Sequence, residues 1–232
     1  MKNHKAAIRA ALPHTVPVLS GYIVLGTAYG ILMNNQGISI LWIVFSSIFI
    51  YAGSMQFVTV ALLATDFDLV GAFIMTLMVN ARHLFYGISF LGKYKNMGRI
   101  KPYLIFSLTD ETFSLLCSAK PPAAVSKKWF YFYISLLNHI YWITGSVLGG
   151  ILGGLLKFET RGLEFVLTSL FVVIFIDQWR TARDHIPAII GVISALVCRL
   201  IFGASDFIIP SMILILLSVT LIKDPIERRS SK

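Results

Sequence analysis

Charge is what this chain has least of. Only 13% of its residues are Asp, Glu, Lys or Arg, about half the share of a soluble domain, and that scarcity excludes an ordinary solvated globule. Cysteine is nearly absent as well. Cys117 and Cys198 both fall inside apolar stretches, where they are expected to act as small apolar residues, and no disulfide framework is implied. The chain has no Walker sequence, no nucleophile motif, no phosphate loop and no pair of metal ligands at helical spacing, so neither metal nor cofactor is expected and ATP hydrolysis would have to come from another chain.

Apolar residues fill the space that charge leaves: 56% of the chain is hydrophobic and mean hydropathy is +0.78. These values predict an all-α polytopic membrane protein, a single integral domain over residues 1–232, multi-pass in the cell membrane. Eight apolar stretches can be marked: Leu12 to Met33, Ile38 to Ala64, Leu69 to Leu91, Tyr103 to Ser118, Trp129 to Leu156, Leu163 to Trp179, Ile186 to Phe202 and Phe207 to Ile222. Six to eight of them are expected to cross. A crossing needs about 20 residues, so Tyr103 to Ser118 and Phe207 to Ile222 are marginal, while Ile38 to Ala64 exceeds one straight helix. The first stretch is long, carries Pro13 and Pro17 and lacks a small-residue cleavage site, so a retained helix is expected there rather than a signal peptide.

The net charge of +9 does not point to nucleic acid, because the basic residues lie in short segments flanking apolar runs, as the positive-inside pattern requires. Lys2, Lys5 and Arg9 place the N-terminus inside, Lys93, Lys95, Arg99 and Lys101 the third connection, and Lys223, Arg228, Arg229 and Lys232 the tail; Asp66 and Asp68 suggest an outer loop. Only two of the first three stretches can then cross fully. Ile38 to Ala64 is therefore expected to be a re-entrant pair of half-helices meeting near Tyr51-Ala52-Gly53-Ser54, since irregular backbone at membrane depth must face protein or a cavity. Lys120, Lys127 and Lys128 conflict with this scheme, which leaves them outside.

An internal repeat is also visible. Tyr22, Gly26 and Gly30 recur at identical spacing as Tyr141, Gly145 and Gly149, and weaker matches pair Ser46–Phe49 with Thr168–Phe171, Gln56-Phe57 with Gln178-Trp179, and Leu84–Ser89 with Leu200–Ser205. Units 12–92 and 129–206 are expected, inverted with respect to one another if each second segment is re-entrant. Glycines at four-residue spacing serve close helix packing, and Gly150 and Gly154 widen that face into a candidate sliding surface. Trp129–Tyr133 reads as an interfacial aromatic anchor.

Against this apolar background the polar residues stand out. Asn80, Arg82 and His83 sit mid-stretch, with Arg82 about 100° round the helix from His83. Ser107, Asp110, Glu111 and Ser114 form a stripe with adjacent carboxylates at mid-helix, and Asn138-His139, Asp177-Gln178 and Arg199 complete the set. Five intramembrane charges at about 3 kcal/mol each would cost about 15 kcal/mol if isolated, as much as a whole domain's stability, so they must pair, hydrate or neutralise. Arg82 is expected to pair with Asp110 or Glu111, either as a static clasp or leaving one acid free to exchange a proton; His83 and His139 are alternative proton carriers. Tyr51, Ser54 and Gln56 mark either a helix break able to hold an amino or carboxylate group or a glycine-tolerated bend.

Tyr51-Ala-Gly-Ser-Met-Gln-Phe57, Asn80-Ala-Arg-His-Leu-Phe-Tyr-Gly87 and Thr109-Asp-Glu-Thr-Phe113, in that order, resemble the AzlC-type branched-chain amino acid exporters. The resemblance implies secondary-active export of leucine, isoleucine, valine and sometimes methionine, driven by an ion gradient, with a small AzlD-type four-helix membrane subunit as partner. It does not say which residues touch solute. A hydrophobic amino acid suits the reading from residues, since Phe49, Phe57 and Phe85 can receive its side chain. An intramembrane enzyme acting on lipid phosphate through Arg82, His83 and Glu111, a passive channel, and a scaffold for another subunit are the competing readings.

Overall fold

The computed structural model describes residues 2–63, 69–155, 172, 175, 176, 179, 180 and 184–222. Every regular element among them is helical. They fall into two compact units, Met1–Val166 and Leu167–Lys232. Asp66, Asp68, Asp177, Gln178 and the tail lysines and arginines from Lys223 onward lie outside the described residues.

The first unit is organised around two long helices, α1 (Lys2–Asn35) and α7 (Lys127–Leu155). Their glycines sit directly on one another. A β-carbon on Gly26 would lie 2.9 Å from the Ser146 nitrogen and one on Gly145 would lie 2.6 Å from the Tyr22 carbonyl oxygen, while Gly30 abuts Ser146 and Gly150 and Gly149 abuts Thr27 in the same way. No side chain fits between these backbones, which is how small residues let two helices gain dispersion contact where lipid offers no hydrophobic drive. Further along, Gly153 meets Ile31 and Asn34.

The contact order rises together along both helices, so α1 and α7 run parallel. This corrects the expected inversion for the pair, because helices related by an axis in the membrane plane run antiparallel. Of the weaker matches, Gly87 lies within helix whereas Gly203 is a kink with φ 80°, and Thr168–Phe171 lie outside the described residues. The Gly150 face is no free sliding surface, since Ile40 and Ile43 cover it.

Two short helical pairs lean on this axis from opposite ends. The first, α2 (Ile40–Phe49) and α3 (Gly53–Leu63), breaks where the sequence places its break, with Tyr51 at φ 44°. Positive φ is a genuine outlier for a bulky residue, so the surroundings must hold it. Ile43 on α2 packs against Gly150, Tyr51 stacks on His139 at 4.1 Å, and α3 returns past Trp142 until Phe57 reaches Tyr29. The pair thus enters and leaves by the far end of α7.

After α4 (Leu69–Phe90) and a turn, the second pair follows: α5 (Lys101–Phe106) and α6 (Asp110–Ser118). Here the single helix expected over Tyr103 to Ser118 does not form. Ser107 ends α5, and Thr109 caps α6 by accepting the Thr112 N–H at 3.3 Å, so Asp110 and Glu111 lie in a first helical turn rather than mid-helix, where the helix dipole favours acids. Lys93 Nζ donates to the Leu116 carbonyl at 3.0 Å, and Ala11, Phe90, Tyr94, Met97, Leu104, Ala119 and Phe130 form one core. Both ends of the α5–α6 pair therefore sit where α1 and α7 begin.

Lys5, Arg9, Lys93, Lys101, Lys120 and Lys127 consequently gather at one end of the unit, which removes the conflict the lysines before α7 pose in sequence. The aromatic run Trp129–Tyr133 is only partly an outward anchor, for Phe130 is 0% exposed. Three described helices are long and apolar enough to cross a membrane: His4–Asn35, Leu69–Phe90 and Ile186–Gly203.

The second unit holds α8 (Ile186–Asp206), interrupted at Gly203, and α9 (Ile208–Leu221), packed on one another. Arg199 lies 5.7 Å from the Phe207 ring, a cation–π contact.

Gly149→Val is expected to lower stability by about 3 kcal/mol, the upper range for forced overpacking, whereas Gly87→Ala, with open space around it, is expected to be neutral or slightly stabilising. Thermal unfolding of detergent-purified variants, followed by size-exclusion chromatography, checks both.

Candidate functional site

The two breaks meet. Tyr51 at the first tip lies 6.2 Å, ring to ring, from Phe106 at the second, and α1, α4 and α7 close around them. Every peptide group freed at such breaks must find a protein partner, and the side chains gathered here are the polar ones that the sequence scatters over five stretches.

Arg82 reaches from α4 to both tips. Its guanidinium donates to Ser54 Oγ at 2.6 Å and pairs with Asp110 Oδ2 at 3.0 Å. Asp110 receives a second hydrogen bond, from the Tyr86 hydroxyl to Oδ1 at 2.7 Å, so both carboxylate oxygens are engaged. Charge-assisted contacts of this kind offset the desolvation that burial imposes. Arg82 thereby pins the first turns of α3 and α6 to one helix.

Glu111 is held differently. Tyr22 of α1 donates to Oε2 at 2.7 Å and also lies 2.7 Å from Thr109 Oγ1; Thr109 donates to Thr112 Oγ1 at 3.0 Å, which accepts from Asn138 Nδ2 at 3.0 Å. A row of hydroxyls thus runs from Glu111 to α7. Among the described residues no cation pairs with Glu111, and Arg82 acts on it only at a distance. Beside the row, the Tyr51 hydroxyl and Asn138 Oδ1 are buried with no hydrogen-bond partner among the described residues. Tyr51 is 3% and Asn138 0% exposed, and an unmet polar atom this deep calls for a functional account.

His139 joins the two pairs: Nε2 lies 3.1 Å from the Ser47 carbonyl on α2, Nδ1 lies 3.2 Å from the Tyr103 hydroxyl on α5, and the ring stacks on Tyr51. A carbonyl only accepts, so Nε2 carries a proton. Gln56 is a strut, accepting from Trp142 Nε1 at 2.9 Å and reaching Ser46 Oγ at 3.5 Å.

The expected residues therefore divide. Tyr51, Ser54, Gln56, Arg82, Asp110, Glu111, Asn138 and His139 come together. Asn80 and His83 stay on α4 beside them, the His83 ring turned edge-on to Tyr86 at 5.6 Å and meeting the Asn80 backbone. Asp177 and Gln178 lie outside the described residues. Phe49, Phe57 and Phe85 line no common pocket: Phe57 is core at 1% exposure, whereas Phe49 and Phe85 face outward.

Sequence reasoning missed Tyr22, Tyr86, Tyr103, Thr109, Thr112 and Trp142 as site members. Thr109 alone carried a local signal, since a threonine followed by two acids marks a helix start.

Comparison with known proteins bears on the whole chain. A family model described as AzlC protein matches residues 17–156, a range that contains both broken pairs and the complete polar cluster. A relative from Bacillus subtilis (strain 168), named branched-chain amino acid transport protein AzlC, is 47% identical over 96% of this chain and 88% of its own length. An uncharacterized membrane protein of Helicobacter pylori (strain ATCC 700392 / 26695) is 41% identical over 95% of this chain and 97% of its length. The inner membrane protein YgaZ of Escherichia coli (strain K12) is 30% identical over 86% and 82%. No solved structure matches.

Arg82→Gln and Asp110→Asn are each expected to destabilise the purified protein, Arg82→Gln the more because it leaves a carboxylate uncompensated. The double variant is expected to recover part of the loss. A double-mutant cycle on thermal unfolding should give a coupling of about 2 kcal/mol.

Proposed function

The chain belongs to the AzlC family, and from that membership and the polar cluster we propose that it exports branched-chain amino acids as the large subunit of a two-component secondary transporter. The solutes are leucine, isoleucine and valine, with methionine as a further substrate. The small partner is an AzlD-type four-helix membrane subunit, and the basic end of the first unit faces the cytoplasm. The similarity to a relative named for branched-chain amino acid transport supports the substrate class.

One observation carries the transport reading: two half-helix pairs enter from opposite ends and meet at a shared buried cluster. An amino acid is a zwitterion, and broken helices present both complements at one depth. The first turn of α3, which carries no acid, suits its carboxylate. The freed carbonyls at the ends of α2 and α5, with Asn138 Oδ1, suit its ammonium. Because each pair is anchored at a different end, small shifts of either tip change which side reaches the cluster.

Cells lacking their own leucine exporters, loaded with a leucine dipeptide, supply the test. Release is expected at least about tenfold faster when this chain and its small partner are expressed together than with either alone. Arg82→Gln, at equal membrane abundance, is expected to reduce that release by about tenfold, as the loss of one charged hydrogen bond predicts. Equal release with and without both chains would sink the proposal in favour of another solute or a scaffold.

A further inference from the structure

Asp110 and Glu111 are neighbours in sequence and opposites in surroundings. Asp110 has both oxygens occupied and a guanidinium at 3.0 Å. Among the described residues Glu111 has a single side-chain donor, Tyr22, and no cation, and it ends a row of hydroxyls, Tyr22, Thr109 and Thr112, that reaches Asn138. A carboxylate with no counter-charge at membrane depth is held most cheaply with a proton on it.

We propose that Glu111 carries the proton that is exchanged for the amino acid, while Asp110 is the fixed clasp. This rests on the transport reading and adds the coupling site. In each cycle the Glu111 carboxylate takes one proton from the outer side as the emptied site faces out. It releases that proton to the inner side when solute enters from the cytoplasm, so one O–H bond forms and breaks and no other bond changes. The titratable and charged groups facing Glu111 are Tyr22 from α1, Tyr51 from the first tip, Arg82 and Tyr86 from α4, and Asp110 on its own helix. Of these, Arg82 and Asp110 neutralise each other.

The test uses this chain purified with its small partner in proteoliposomes. Two leucine fluxes are measured: exchange against internal leucine with no ion gradient, and accumulation driven by a pH gradient. The unaltered pair is expected to show both. Glu111→Gln is expected to keep exchange within about twofold and to lose at least about tenfold of the driven accumulation, whereas Asp110→Asn loses both. Tyr22→Phe, which keeps the ring against Trp142 and removes only the hydrogen bond, is expected to lower driven accumulation about tenfold with exchange retained.

Driven accumulation by Glu111→Gln at the parental rate overturns the assignment. So does loss of both fluxes in a Glu111→Gln protein that still co-purifies with its partner, which would make Glu111 a solute ligand. If that variant does not fold, unchanged driven accumulation in Tyr22→Phe is the overturning result. Accumulation that follows a sodium gradient and ignores pH overturns the proton. Absence of both fluxes in the unaltered pair sinks the transport reading, and the coupling site with it.

Discussion

A peptide group released from a helix inside a hydrocarbon layer has no water to bond, and everything in the first unit answers to that fact. Two helices are broken near their middles. The breaks are tolerable because α1 and α7 approach closely enough, glycine on glycine, to bring Tyr22, Asn138, His139 and Trp142 within reach of both tips. Replace the glycine seam by ordinary side chains and those hydroxyl, amide and indole groups withdraw together.

The electrostatics follow from the same geometry. The first turns of α3 and α6 both meet Arg82, which donates to Ser54 Oγ and pairs with Asp110. Asp110 and Glu111 are the compensation. Their place in the first turn of α6 lets the helix dipole share in stabilising them, an advantage that mid-helix acids would not have.

Much of this was legible in the sequence, and the limits have physical causes. The break at Tyr51 could be read because basic flanks force one stretch to turn back, and the Arg82 partner because unpaired charge is intolerable. The second pair escaped notice because its stretch is too short to look broken, while its one signal, Thr109 ahead of two acids, is a helix-start pattern lost in a run read as helix already begun. The direction of α7 was missed for a related reason: without a second turn-back, the lysines before α7 fall on the wrong side. Tyr22 and Tyr86 showed only as repeat and motif positions and Tyr103 gave no sign at all, since a tyrosine in an apolar stretch looks the same whether its hydroxyl meets a carboxylate, an imidazole or a headgroup.

The parallel seam between α1 and α7 also sets an order of assembly. The chain emerges from the ribosome one residue at a time, and α1 is complete long before Gly145 and Gly149 exist. At about 5–20 residues per second, about one to five seconds pass in which both broken pairs are already made and their tips lack His139, Asn138 and Trp142. During that interval the half-formed unit must be sheltered by the insertion machinery, and any pause in synthesis between Ser118 and Leu155 prolongs its exposure.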